Sequence, residues 1–147
     1  MRVWVAAAVL AVVLAVGISA CGSGSVVNGP PEVRYGEDVC DECRMIISDA
    51  RFAAAYVTAG GDVRRFDDIG DMVVYFSRVH EDVVAFWVHD YGTKVWLRAE
   101  EASFVRSSSV QTPMGHGLVA FASRGEAEAF VREHGGEIVE FGELFEQ

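Results

Sequence analysis

Two stretches of this chain match each other when one is shifted by 55 residues, so the same folding problem has to be solved twice. The shift lays Gly60, Val63, Phe66, Gly70 and Tyr75 on Gly115, Leu118, Phe121, Gly125 and Phe130. In the first copy, Arg51–Thr58 and Asp62–Phe66 read as strands joined by the hairpin signal Ala59-Gly60-Gly61. Asp68 then serves as an N-cap with Asp71 at N3, and Ile69, Met72, Val73, Phe76 and Val79 or His80 follow at helical spacing. Val83–His89 is a strand with aromatic weight. In the second copy, Lys94–Ala99, Ser103–Ser108 and Gly117–Phe121 supply strand material. Ser123-x-x-Glu126 is a capping box, opening a helix to about His134 with Ala127, Phe130 and Val131 on its buried side. Gly135-Gly136 stops the helix, and Glu137–Phe141 closes the copy. The match is short, and two unrelated strand-helix-strand pieces would also align. The expectation is an α+β fold of duplicated β-β-α-β units in one compact domain, residues 32–147, with repeats at about 45–89 and 94–141.

The N-terminus carries an address rather than a fold. Met1 and Arg2 form a minimal charged region, and Val3 to Val16 is an apolar run of fourteen residues, shorter than the ~20 needed to span a bilayer. Ile18-Ser19-Ala20-Cys21 resembles a bacterial lipobox, which makes residues 1–21 a lipoprotein signal peptide and Cys21 the lipidated first residue of the mature chain. A plain secretory peptide is the alternative. Residues 22–31 (GSGSVVNGPP) read as a flexible tether. The expected place is the cell envelope, anchored to the membrane and extracytoplasmic, and Gly22 in place of Asp leaves an outer-membrane destination open.

Charge then removes partner classes. Twelve Lys and Arg stand against 22 Asp and Glu, for a formal net charge of −10, and Lys94 is the single lysine. Such a chain has no basic face to neutralise phosphates, which argues against nucleic acid and against electrostatic binding to anionic lipid. No Ser-His-Asp order, phosphate-cradling glycine loop or paired-carboxylate pattern is visible, and Asp67-Asp68 is accounted for by helix capping. The reading is therefore non-enzymatic.

The chemistry concentrates in Cys40-Asp41-Glu42-Cys43-Arg44-Met45. Two thiols and a thioether within six residues are soft donors, suited to Cu(I) rather than to Ca²⁺ or Mg²⁺. If Cys43 to Met45 is extended, their side chains share one face with Cα atoms about 6.6 Å apart, a gap the flexible Met side chain can close. Three other readings remain open. Cys-x-x-Cys is half of a zinc site, although no second Cys pair or His-x₃₋₅-His follows to complete it. It is also the motif of extracytoplasmic thiol-disulfide oxidoreductases, although β-prone Met45-Ile46-Ile47 follows instead of a helix. A structural disulfide would close only a tiny loop. A further soft donor, Met114, lies between Pro113 and Gly115 in a turn, with His116 beside it as the best additional ligand. His80 and His134 fall near helix C-termini, where positive charge is favourable, and His89 ends a strand.

Taken together, the lipobox, the Cys-x-Met after the tether, Phe66-Asp67-Asp68 with Asp71-Met72 opening a helix, and Pro113-Met114-Gly115-x-Gly117 followed by Ala120-Phe121 resemble the NosL lipoproteins. That resemblance implies a duplicated β-β-α-β fold, Cu(I) binding, and delivery of copper toward nitrous oxide reductase with help from a membrane transporter. A chaperone for another cuproenzyme would use the same donors. The family's copper pair falls on Cys43 and Met45, and its Pro-Met-Gly methionine on Met114. Arg44 stands where that family usually has Gly, and the extra thiol of Cys40 occurs in some relatives.

Overall fold

The computed structural model describes residues 29–146. The expected lipidation residue Cys21, the expected signal peptide and most of the expected tether lie outside the described residues. Among those described, no helix is long and apolar enough to cross a membrane.

The chain forms two antiparallel sheets and two α-helices. The first half runs β1 (Ala54–Thr58), β2 (Val63–Phe66), α1 (Ile69–Val79), β3 (Val83–His89) and β4 (Trp96–Arg98). The second half runs β5 (Ser103–Arg106), β6 (Leu118–Phe121), α2 (Arg124–His134) and β7 (Glu137–Val139). Strand order is β2-β1-β3-β4 in one sheet and β6-β5-β7 in the other. In both sheets the first strand of the half therefore lies between its hairpin partner and the strand that follows the helix. The α+β class holds, and the duplication is visible in this shared order. β6 and α2 begin and end 55 residues after β2 and α1.

The halves differ in one connection. Four residues, 59–62, join β1 to β2, whereas eleven, 107–117, join β5 to β6. A two-residue hairpin needs no such length, and a longer loop has to find backbone partners elsewhere.

Strand alternation explains how one sheet serves two cores. Phe104 on β5 and Leu118 and Ala120 on β6 pack with Tyr56, Phe66, Ile69, Met72 and Phe86 in the main cluster. Their neighbours Val105, Val119 and Phe121 face the other way, onto Phe52 and Ala127. A parallel bridge from Asp90 to Ala120 ties the end of β3 to β6, and Asp90 Oδ2 accepts the Ala122 amide at 2.9 Å.

The helices are capped as their sequences dictate. Ser123 and Glu126 form the reciprocal capping box of α2, and Asp68 caps α1 by accepting the Gly70 amide at 2.7 Å. Their burial is unequal. The first turn of α1, Ile69 to Val73, is wholly buried, whereas α2 fully buries only Ala127, with Phe130 and Val131 half-buried. Several elements are shorter than expected. Lys94 (φ 61°) belongs to a turn closed by Asp90, whose carboxylate accepts from the Thr93 amide and hydroxyl, so β4 starts only at Trp96. Around the cysteines, the β-prone run Met45-Ile46-Ile47 contributes a single antiparallel bridge, between Val39 and Ile46.

Candidate metal centre

Two loops meet over the buried first turn of α1. The first carries Cys40 and Cys43. It is closed by hydrogen bonds from the Cys40 amide to the Met45 carbonyl (2.8 Å) and from the Arg44 amide to the Cys40 carbonyl (3.1 Å). It is fastened to β2 by a reciprocal pair, the Asp41 amide to the Arg65 carbonyl and the Arg65 amide to Asp41 Oδ2, both 2.8 Å. The second loop is the long β5–β6 connection. Thr112 organises it, its carbonyl accepting from Gly115 and its hydroxyl from the Gly117 amide.

Three aspartates around the start of α1 hold these loops. Asp67 is buried and accepts the Ser48 amide at 3.1 Å, securing the chain just after the cysteine loop. Its expected role in helix capping is corrected: Asp68 alone caps, because the Asp67 carboxylate is engaged outside the helix. The second oxygen of Asp68 accepts the Met114 amide at 3.1 Å. Asp71 joins the two loops, with Oδ2 accepting from Cys40 Sγ at 3.3 Å and Oδ1 lying 3.2 Å from His116 Nε2.

The donor atoms of Cys40, Cys43 and Asp71 all lie within 4.8 Å of one another. Both cysteines are free thiols, Cys40 fully buried and Cys43 partly so. Burial pushes the Cys40 thiol up, and it pushes Cys43 up to about 12, helped by hydrogen bonds to Asp71 and Cys40. These are protonated thiols at neutral pH, poor nucleophiles until a metal displaces the proton.

Met45 and Met114 stand at the surface, 52% and 41% exposed, and Val39 and Ile46, bridged across the cysteine loop, are exposed as well. The expected extended path from Cys43 to Met45 is overturned, because Arg44 sits in the left-handed region at φ 66°. This position favours glycine, since a Cβ there crowds the following carbonyl at a cost of roughly 1–2 kcal/mol. Arg44→Gly should therefore raise stability, by about 0.5–1 kcal/mol after the added freedom of the unfolded chain, read as a higher urea midpoint at unchanged m-value.

His116 does reach the centre, but through Asp71. His89 does not. It is buried beneath Tyr35 and Trp96, with Nδ1 against the Lys94 carbonyl and Nε2 accepting from the Tyr35 hydroxyl at 2.6 Å. Both of its nitrogens are thus used in the fold. Sequence reasoning missed Asp71 as a site residue because an acid at N3 is accounted for by the helix alone. The available signal was its place in the run Asp67-Asp68-x-x-Asp71 beside Met72.

Comparison with known proteins agrees with this architecture. The NosL family model matches residues 34–147. The copper-binding lipoprotein NosL of Stutzerimonas stutzeri is 28% identical over 151 residues, covering 95% of this chain and 80% of that protein. The crystal structure of the copper chaperone NosL from Shewanella denitrificans shares the fold, with a TM-score of 0.64 at 24% identity, over 78% of this chain and 96% of that one. With the family model matching most of its length, this chain belongs to the NosL family.

Proposed function

We propose that this protein is a lipid-anchored, extracytoplasmic Cu(I) chaperone that delivers copper for the assembly of nitrous oxide reductase. The observation that carries the copper reading is the pinning of both soft-donor loops to one turn of α1, through Asp71 to Cys40 and through Asp68 to the Met114 amide. Cys43, Met45 and Met114 are the proposed donors, with Cys40 and His116 at the margin of the site. One thiolate and two thioethers give Cu(I) a neutral, soft set, and the exposure of both thioethers leaves the ion open to ligand exchange with a partner. The name of the Stutzerimonas relative, a copper-binding lipoprotein, supports copper and the lipid anchor together. Nitrous oxide reductase and its membrane transporter as partners rest on the family resemblance.

The rival reading, a thiol-disulfide oxidoreductase using Cys40 and Cys43, needs a stabilised thiolate. Burial here does the opposite.

The reduced protein is expected to bind one Cu(I) and to prefer it to Zn²⁺ in chelator competition. Because the Cys43 proton must leave, affinity should weaken by roughly tenfold per pH unit as pH falls below neutrality. Equal affinity for the two metals would overturn the assignment. The anchor has its own test. Cys21→Ala should block processing or release the protein from membranes, and a wild-type protein found wholly in the soluble envelope fraction would contradict the lipobox.

A further inference from the structure

α1 has a second face that the candidate metal centre does not use. Gly70, Val73, Val74 and Ser77 stand at i, i+3, i+4 and i+7, so they form one stripe along the helix, which Arg78 ends. This stripe is one wall of a trough. Toward the helix C-terminus, Val73, Val74 and Ser77 face Leu144 and Phe145 of the 3₁₀ helix Gly142–Phe145 around a cavity of about 300 Å³. Toward the N-terminus, Gly70, Val73 and Val74 face Arg106, His116 and Leu118 around a smaller cavity of about 90 Å³. Both cavities are lined by Val73 and Val74, so they are neighbours along a stripe about 12 Å long at 1.5 Å per helical residue. That length matches about four residues of extended chain.

The two ends of the trough differ in charge. Arg78 is engaged by Glu42 and stacks on Tyr75. Arg106 is held more loosely: its Nη2 is shielded from solvent without a hydrogen-bond partner, and its Nη1 reaches only Glu137, at a long 3.4 Å. A shielded N–H without an acceptor costs free energy, and a guanidinium is the group best matched to a carboxylate. Between the arginines, Val74 is 43% exposed although it is apolar. A free small anion is a poor occupant, because it would leave the apolar wall uncovered and would face Glu137, Glu143 and Glu146, which line a further cavity beside Arg106. A second copy brings the same net charge of −10. We propose that this trough docks an extended segment of a partner protein, with an apolar side chain seated among Val74, Leu144 and Phe145 and a nearby carboxylate paired with Arg106. An apolar anchor beside an arginine is the usual make-up of the residues that dominate binding. His116 walls the smaller cavity while its Nε2 contacts Asp71, so a docked segment lies one side chain from the metal centre. A part in copper delivery rests on the proposed function; the surface itself does not.

The probes are acetylated, amidated peptides that pair one Leu with one Asp, adjacent or separated by one or more alanines, titrated into ¹⁵N-labelled, reduced protein up to about 10 mM. The protein is metal-free, so the outcome does not depend on the copper reading. Amide shifts should cluster on Gly70–Arg78, His116–Leu118 and Leu144–Phe145 for at least one spacing. The Asn counterpart of that peptide should bind at least about threefold more weakly, as an ion pair at a partly exposed site allows. Arg106→Gln should bind the two peptides equally, and Val74→Glu should bind neither. The amide spectrum reports whether each variant is folded, and if Arg106→Gln is not, Val74→Glu, at an exposed position, decides. Absence of shifts along the stripe with every peptide overturns the proposal, as does an Asp peptide that keeps its advantage in Arg106→Gln or binds Val74→Glu as it binds wild type. Acetate giving the same shifts at the same affinity overturns it too, by showing a small-anion site only. Concentration-dependent dimerisation in sedimentation equilibrium, abolished by Val74→Glu, would assign the trough to a second copy and overturn it as well.

Discussion

Gly70→Ala is expected to destabilise this protein and to weaken its Cu(I) binding, against the rule that alanine improves a helix. Alanine gains about 1 kcal/mol over glycine inside a helix. At residue 70, however, a Cβ would lie 2.1 Å from His116 Cγ and 2.4 Å from His116 Cβ. These atoms sit close to the His116 backbone, so a rotamer change cannot clear them and the loop must lift. Lifting it strains the Met114 amide bond to Asp68 and the His116 contact with Asp71. Overpacking of this kind costs about 1–3 kcal/mol. Cu(I) affinity should fall by at least about tenfold, or ~1.4 kcal/mol, as the Met114 loop leaves. The control lies 55 residues on. Gly125 occupies the same position in α2, and a Cβ there meets nothing within 4 Å. Gly125→Ala should stabilise by up to about 1 kcal/mol and leave copper binding alone. Urea melts of the two variants, with Cu(I) titrations, check the pair; equal effects would refute the account of the long loop.

Oxidation is expected to abolish copper loading. Cys40 and Cys43 are three residues apart, with sulfurs within 4.8 Å, and the proposed compartment is one in which Cys pairs oxidise. Exchange with an external disulfide would join the two sulfurs, reduce that disulfide to two thiols, and leave Cys43 with no thiolate for Cu(I). The raised Cys43 thiol slows this, because only the thiolate attacks, so metal-free protein should oxidise slowly near neutral pH and faster as pH rises. Cys40→Ser removes the partner that traps Cys43. This variant should retain most of its Cu(I) binding and lose its sensitivity to oxidant, whereas Cys43→Ser should fail to bind in either state. Thiol counting before titration checks the redox state. Cu(I) loading by fully oxidised wild-type protein would contradict the role given to Cys43.

Local signals in the sequence were enough for most of the fold. The start of α1 and both ends of α2 followed from Asp68, Ser123 and the glycines after His134, because caps are chemical and local. The repeat was legible in the 55-residue shift because β2, α1, β6 and α2 retain it without gaps. The path around Arg44 was not legible, since nothing in Cys-Arg-Met announces a left-handed residue; the hint lay in the resemblance, which implies Gly at this position. Asp71 was hidden for another reason. Its function depends on where an eleven-residue loop from the other repeat lands, and pairing between elements distant in sequence has no signature in either element alone. Met114 could be recognised as displayed by its flanking Pro and Gly, yet the sequence did not say that its amide would be gripped by the same aspartate that caps α1.

Chelator-competition titration of Cu(I) into the reduced protein, run on wild type, Cys43→Ser, Met45→Leu and Met114→Leu, tests the central claim most directly. The claim is that donors from both loops hold one ion. One Cu(I) per chain in wild type, loss of that binding in Cys43→Ser, and a weakening of at least about tenfold in each methionine variant are predicted. Methionine variants that bind as wild type, together with Cys40→Ser failing as completely as Cys43→Ser, would show a dithiolate site within the cysteine loop alone and contradict it.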